Sequence, residues 1–162
     1  MMNNRIRRKD RLLTEHDAKE ILEIGEYGIL STVSLDGQPY GVPLNYSYNG
    51  EEIYFHSAKE GHKLINLKTN SRVSFCVVGK TQVLPDKFAT KYESVIVFGK
   101  AYEAIGEEKQ KGFVELVKKY SPDFFAEGLE FIEKKGKKAC VFAIRIEEIT
   151  GKASRWDKIE TL

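Results

Sequence analysis

Residues 54–63 read YFHSAKEGHK, and this stretch decides the fold because a strand pattern stops and a helical pattern starts inside it. A helix that begins here presents unpaired backbone N–H groups and the positive end of its dipole, which together favour an anion. Ser57, His62 and Lys63 add side chains suited to a phosphate, and Gly61 lets the backbone approach it. The glycine spacing of NTPase phosphate loops is missing. The stretch therefore predicts a phosphate cradle or, as the alternative, an ordinary strand-to-helix turn.

Alternating apolar and polar residues continue upstream of this stretch over three runs. The runs cover residues 27–34, 39–48 and 52–57. Asp36-Gly37 and Asn49-Gly50 separate them, and both dipeptides are strong hairpin signals. We therefore expect an antiparallel meander of three strands.

The third strand of this meander presents two different faces. Because side chains alternate with period two, Ile53 and Phe55 share one face while Tyr54 and His56 share the other. If the apolar pair faces the core, Tyr54 and His56 face a polar site or a partner.

Hydrophobic periodicity predicts the remaining elements. The predicted helices cover residues 14–25, 62–69, 107–120 and 123–135, and the further strands cover 72–78, 91–105 and 139–149. Gly99 near the middle of the longest strand indicates a bulge or bend, and a long loop is expected around Pro85. The six strands predict a closed antiparallel barrel with flanking helices, in an α+β, mainly β domain.

The length of the chain predicts one domain, and its nearly balanced charge gives no reason to expect binding to nucleic acid or to a membrane surface. The 162 residues carry 26 basic and 24 acidic side chains, so no global charge favours nucleic acid or a membrane surface. We expect one domain over 1–162, with a basic arm at 1–11 and a polar tail at 151–162. No apolar run predicts a membrane span or secretion signal, which favours a cytoplasmic protein. Cys76 and Cys140 lie in apolar runs and are predicted to be reduced core residues, and no metal site is predicted.

Several linked motifs in this sequence resemble a known family. They are RRKDR at 7–11, PYGVPLNY at 39–46, YFHSAKEGHK at 54–63, RVSF at 72–75 and YESV at 92–95. The chain is similar to the flavin-binding split barrels related to pyridoxamine 5′-phosphate oxidase, in particular the 5-nitroimidazole-resistance (Nim) branch. The order and spacing of the motifs hold from residue 7 to about residue 150.

The resemblance implies a homodimer with two flavin sites at the subunit interface, each built from both chains. It places His56, Ser57, Ala58, Gly61, His62 and Lys63 on the flavin phosphate and ribityl chain, and Thr32, Val42, Pro43, Leu44 and Asn45 along the isoalloxazine ring. Ser94 would contribute from the other side. His56 would be the catalytic residue, and Trp156 would stack on the flavin or dock the tail. The implied cofactor is FMN, with FAD as the alternative.

The residues alone leave simpler interpretations open. Val42-Pro43-Leu44 is also the pattern of plain strand core, and a lone His56 is often structural. His62 replaces an arginine common before the cradle lysine, and the chain lacks the ending of pyridoxamine-phosphate oxidases. The leading hypothesis is a flavin-dependent reductase of small planar acceptors, with nitroimidazoles as the implied class. The alternatives are a non-catalytic flavin or haem binding protein and, through the basic arm, a nucleic-acid binder.

Overall fold

A computed structural model describes residues 6–155, which form four α-helices and seven β-strands. The helices are α1 (Glu15–Ile24), α2 (His62–Thr69), α3 (Gly106–Tyr120) and α4 (Phe125–Lys135); the strands are β1 (Gly28–Val33), β2 (Pro39–Leu44), β3 (Ser47–Tyr48), β4 (Glu52–Ala58), β5 (Arg72–Leu84), β6 (Ala89–Ala104) and β7 (Ala139–Ser154). All strand pairings are antiparallel, in the order β2-β1-β5-β6-β7-β4-β3. The predicted mainly β architecture with flanking helices is confirmed.

The two edge strands of this sheet, β2 and β3, are consecutive in the chain. Only Asn45 and Tyr46 separate them, so the sheet must curl until its two edges meet, as in a barrel. The single strand predicted over 39–48 is therefore divided in two, which is why seven strands are present instead of six.

The division at Tyr46 has a local cause. Its ring is fully buried, and its hydroxyl donates to the Leu22 carbonyl at 2.6 Å. The Tyr120 hydroxyl accepts from the Tyr46 N–H at 3.0 Å and lies 2.9 Å from the Tyr46 carbonyl. A side chain from α3 thus accepts the Tyr46 N–H that a continuous strand would pair with a neighbour, while its single proton lies between the Tyr46 carbonyl and the Glu26 carbonyl, which is 2.7 Å away.

The barrel interior holds one apolar core, and α1 packs against one end of it. Leu30, Phe75 and Val97 are fully buried inside the barrel, together with Leu22 of α1. The predicted start of α1 is confirmed, because the Thr14 hydroxyl accepts the Asp17 N–H at 3.1 Å. None of the helices within residues 6–155 combines the length and apolar character needed to span a bilayer.

The long strands differ most from prediction. The expected loop around Pro85 is wrong, because β5 and β6 stay paired as far as Leu84 and Ala89 and join through a three-residue 3₁₀ turn. Likewise β7 continues to Ser154 instead of ending at residue 149. The bend predicted at Gly99 is confirmed by a shift of the β6–β7 register between Phe98 and Gly99.

The outward face of the barrel has a covered half and an open half. Helix α3 covers β4, β6 and β7, and Tyr54 lies fully buried beneath it beside Gly112. Tyr54 therefore faces neither an open site nor a partner, because α3 of the same chain covers it, although its hydroxyl does donate to the Glu52 carboxylate at 3.0 Å. On the open half, Pro43, Ile29, Cys76 and Ile96 lie opposite one another across β2, β1, β5 and β6.

The two cysteines have different environments. Both are free thiols; Cys140 is buried, while Cys76 is half-buried on the open outward face. The predicted reduced state is confirmed for both, but only Cys140 belongs to the core.

Candidate functional site

His56 lies on the outward face of β4, next to the region that α3 covers. It is an exposed residue at the edge of a cavity of about 360 Å³ whose lining comes mainly from α3 and α4. The lining of this helix cavity consists of Asn45, His56, Phe113, Leu116, Val117, Tyr120, Ser121, Phe131, Ile132, Lys135, Gly136 and Ala139. Two residues predicted to contact the flavin, Asn45 and His56, are thus brought together at one cavity.

Two physical causes act on the His56 imidazole. Its partial burial, and secondly the positive charge of Lys63, lower the pKa of His56. The neutral ring is therefore the dominant form near pH 7, since an unperturbed histidine has a pKa of about 6.5. A neutral imidazole can donate one hydrogen bond and accept another, whereas the protonated ring can only donate. The neutral form of His56 therefore suits the positioning of a ligand.

This interpretation predicts how His56 titrates. We expect its pKa to lie below the usual histidine value and to rise in Lys63→Gln, because one of the two causes is removed. The lowered pKa also means that His56 favours folding above about pH 6.5 and disfavours it as the pH falls further. NMR titration of the imidazole C–H signal measures the shift, with Lys68→Gln, which changes a lysine in the last turn of α2, as the control. An unchanged His56 pKa in Lys63→Gln would contradict the assigned cause.

The stretch Ser57 to Lys63, called the cradle below, joins the end of β4 to α2. Gly61 has φ of 130°, a conformation that L side chains rarely adopt, and a Cβ there would meet nothing within 4 Å. Its carbonyl accepts from Leu64 and Ile65 at 3.0 and 3.2 Å, and no side chain caps the helix. The N–H groups of His62 and Lys63 consequently have no acceptor within the helix and remain available to an anion. The predicted start of α2 at His62 is confirmed.

Two buried polar atoms near the ends of the cradle lack partners. The Ser57 hydroxyl and the Asn66 side-chain carbonyl are both without a hydrogen bond, although these residues are only 3% and 1% exposed. Uncompensated burial of a polar group is costly, so such groups often mark a site that a ligand completes. Of the two atoms, only the Ser57 hydroxyl can donate to a phosphate; the Asn66 carbonyl oxygen is an acceptor like the phosphate oxygens, so this pair does not distinguish a phosphate cradle from an ordinary turn.

A second cavity, of about 700 Å³, lies against the start of α2 and includes part of the cradle. It is lined by Ser34, Leu35, Asp36, Gly61, His62, Ile65, Asn66 and Thr69. Ser34 donates a short hydrogen bond to Asp36, and this bond is the main cause that lowers the Asp36 pKa. The charge of His62 also lowers the Asp36 pKa, so an anion held at Gly61 and His62 lies within electrostatic reach of the Asp36 carboxylate.

Two neighbours of the cradle were not predicted. The Tyr40 ring stacks on His62 with 4.3 Å between centroids, and Asn66 donates to the Thr32 hydroxyl at 2.9 Å. Thr32 is 1% exposed, so its hydroxyl positions α2 from inside the barrel. Tyr40 belongs to the PYGVPLNY motif, and Asn66 is a polar residue on an otherwise apolar helix face. Both signals were present in the sequence.

The residues proposed to line the flavin ring alternate along β2. Val42 and Leu44 are half-buried and pack against the core, whereas Pro43 is exposed on the outward face. The side chains therefore split between the core and the surface. Ala58 is exposed at the end of β4.

Ser94 lies far from the cradle along the sheet. It is half-buried on the outward face of β6, opposite Val78 and Lys152. Trp156 lies outside the described residues.

The groups available at the cradle fit a flavin phosphate. They comprise helix-start N–H groups, Lys63, His62 and the partnerless Ser57 hydroxyl, and the exposed Pro43 lies on an open apolar face suited to a planar ring. Between residues 6 and 155, no three His, Cys, Asp or Glu side chains are grouped so that they could hold a metal ion.

The fold defines the class of this protein: a mainly β, antiparallel split barrel with flanking helices. The family model described as pyridoxamine 5′-phosphate oxidase matches residues 14–153. The chain belongs to this family, as the linked motifs predicted. No curated protein sequence shows significant similarity to it.

Several solved structures share the fold. A proposed 5-nitroimidazole antibiotic resistance protein from Bacteroides thetaiotaomicron is 21% identical, with a TM-score of 0.73 and coverage of 88% of this chain and 86% of that one. An FAD-binding protein from Mesorhizobium loti is 26% identical, with a TM-score of 0.65 and coverage of 90% and 98%. The FAD and haem binding protein from Mycobacterium smegmatis is 19% identical, with a TM-score of 0.74 and coverage of 88% and 72%.

Proposed function

We propose that this protein binds a flavin nucleotide and acts as a flavin-dependent reductase of small planar acceptors. The observation that carries the proposal is the cradle, where an uncapped helix start follows Gly61 at φ 130° and has Lys63 as its second residue. A flavin supplies reversible one- or two-electron transfer when bound, while the protein supplies binding and orientation. His62 and Lys63 would hold the phosphate, and the outward face of β2 around Pro43 would lie along the ring.

Relatives of the same fold support a flavin without deciding between its two nucleotide forms. The Mesorhizobium loti and Mycobacterium smegmatis proteins are described as FAD-binding, whereas the cradle itself requires only one phosphate. FMN is therefore our first candidate and FAD our second. The Bacteroides protein, described by its proposed role in nitroimidazole resistance, supports nitro compounds as one acceptor class.

We also propose that the working unit is a homodimer. The row formed by Pro43, Ile29, Cys76 and Ile96 leaves apolar side chains on the open outward face, and Ile96 is 39% exposed. Val78, beside Ser94, is 48% exposed. Contiguous exposed apolar surface is typical of an association site, and a second copy on this face would bring its Ser94 toward the flavin.

His56 is the proposed catalytic residue, acting on the acceptor. It lies on a cavity wall together with Asn45, and its neutral imidazole can donate a hydrogen bond to a nitro or carbonyl oxygen. Such a bond strengthens as negative charge develops on the acceptor, so it favours reduction.

A haem or flavin carrier without catalysis is the second candidate. An exposed histidine beside an apolar cavity also provides an axial ligand for haem, and two proteins of this fold are described as a FAD and haem binding protein and a haem storage protein. Turnover separates the two candidates, since a carrier binds its cofactor but reduces nothing.

Reconstitution tests both candidates. We expect the purified protein to bind FMN or FAD, to bleach with dithionite and to return electrons to a nitroaromatic acceptor. His56→Ala is expected to retain flavin while losing about 100-fold in turnover, the usual range for one acid, base or oxyanion donor. His16→Ala, on the first turn of α1, is the matched control. A protein that refuses both flavins would overturn the proposal, and one that binds flavin or haem but reduces no acceptor would establish the carrier.

A further inference from the structure

The helix cavity beside His56 has a lining that is mostly apolar, and the charged side chains that residues 6–155 contribute to it include a lysine but no carboxylate. Its walls are the apolar side chains of α3 and α4, namely Phe113, Leu116, Val117, Phe131 and Ile132. Lys135 is the lysine of this lining, and among the described residues no aspartate or glutamate contributes to it. A negatively charged ligand therefore meets no opposing carboxylate inside the cavity, whereas a cationic ligand finds no counter-charge.

Lys135 is free to serve such a ligand. It lies exposed in the last turn of α4, and it takes part in none of the ion pairs found within residues 6–155. The adjacent Lys134 differs, because its ammonium pairs with Glu130 at 3.1 Å and it does not line the cavity. The two lysines therefore lie in the same turn of α4, but only Lys135 lines the cavity.

The cavity size restricts the ligand to a small one. A volume of about 360 Å³ is at the lower end of small-molecule sites, which span roughly 300–1,000 Å³. It suits a single substituted aromatic ring better than a whole flavin nucleotide. The ring would pack against Phe113 and Ile132, which come from two different helices and line the same cavity.

We infer that the helix cavity binds small aromatic anions, such as aryl carboxylates, with the ring between α3 and α4 and the anionic group at Lys135. As a binding site it requires no flavin. It rests on the proposed function only where it names the acceptor class: with His56 acting on the acceptor, the charge of Lys135 in the same cavity makes nitroaromatic carboxylates preferred over neutral or cationic nitroaromatics.

Calorimetric titration of the full-length protein, with and without flavin, tests this inference. The probes are 4-nitrobenzoate, nitrobenzene and 4-nitrobenzylammonium, which share a ring and differ in charge. We expect 4-nitrobenzoate to bind about tenfold more tightly than the cation, since the contact with Lys135 lies between an exposed ion pair and a charge-assisted hydrogen bond. Lys135→Gln should remove this preference while leaving nitrobenzene binding unchanged, and Lys134→Gln should retain it.

The outcomes separate this inference from the proposed function. Charge-selective binding to the flavin-free protein, lost in Lys135→Gln only, supports the cavity even if no flavin is taken up. Equal affinity for the three probes, absence of binding, or equal behaviour of the two lysine variants overturns it, even when flavin binds and is reduced.

Discussion

Lys63→Glu is expected to weaken FMN binding by about 100-fold or more, because a charge-assisted contact is replaced by repulsion of the phosphate dianion. Lys63 is the second residue of α2, where helix-start N–H groups converge. A glutamate at this position also stabilises the helix, since acidic side chains favour the positive end of the dipole. The variant should therefore lose cofactor affinity without losing the fold.

Lys68→Glu provides the matched control. It makes the same charge change in the same helix, but at an exposed position in the last turn, away from the cradle. We expect its FMN affinity to stay within about threefold of the parent, since an exposed charge of this kind contributes little. Circular dichroism verifies that both variants remain folded.

Riboflavin identifies the part of the cofactor that the cradle binds. It carries the ring and ribityl chain but no phosphate, so quenching of its fluorescence by the protein should be equal in the parent and in Lys63→Glu. Loss of riboflavin and FMN binding together would place Lys63 against the ring instead. Unchanged FMN binding in Lys63→Glu would show that the cradle does not bind the flavin phosphate.

Sequence reasoning located the elements whose signals are local. The Asp36-Gly37 and Asn49-Gly50 turns, the Thr14 cap of α1 and the helix start at His62 all depend on residues within a few positions of each other. Local turn and cap chemistry therefore sufficed to predict the hairpins, the start of α2 and the barrel class.

The features that sequence reasoning missed depend on distant contacts. The strand over 39–48 divides because the Tyr120 hydroxyl, from α3, binds the backbone of Tyr46. Tyr54 is buried because α3 covers it, although alternation alone placed it with His56. In both cases an element more than 50 positions away in sequence overrides the local pattern, as tertiary context commonly does for strands.

The candidate site shows the same division. His56 and the cradle could be proposed from the sequence because they lie in one continuous stretch, whereas Tyr40, Asn66 and the helix cavity assemble from separate elements. A polar residue on the apolar face of a helix, as Asn66 is, was the available clue to the second cavity.

Gly99→Ala is expected to destabilise the protein by about 3 kcal/mol, the upper range for overpacking, because the new methyl group has no room. Its Cβ would lie 2.3 Å from the Arg145 carbonyl oxygen and 3.0 Å from the Ile144 side chain. The nearer atom is backbone, held in the β6–β7 ladder at the register shift, so the strands themselves must separate. The bend that lets β6 follow the barrel thus requires a residue without a side chain.

Substitutions at two other glycines serve as controls, because they distinguish the effect of a steric clash from the effect of backbone strain. A Cβ at Gly41 would meet Ile29 at 3.6 Å, an ordinary contact, while one at Gly37 would meet nothing within 4 Å but sit at φ of 86°. Urea unfolding should therefore place Gly41→Ala within about 1 kcal/mol of the parent and Gly37→Ala about 1 kcal/mol below it. If Gly99→Ala unfolded no more readily than Gly37→Ala, the close approach of β6 to Arg145 would not be what fixes glycine at the bend. A large loss at Gly99 alone would assign the curvature of the barrel to this contact.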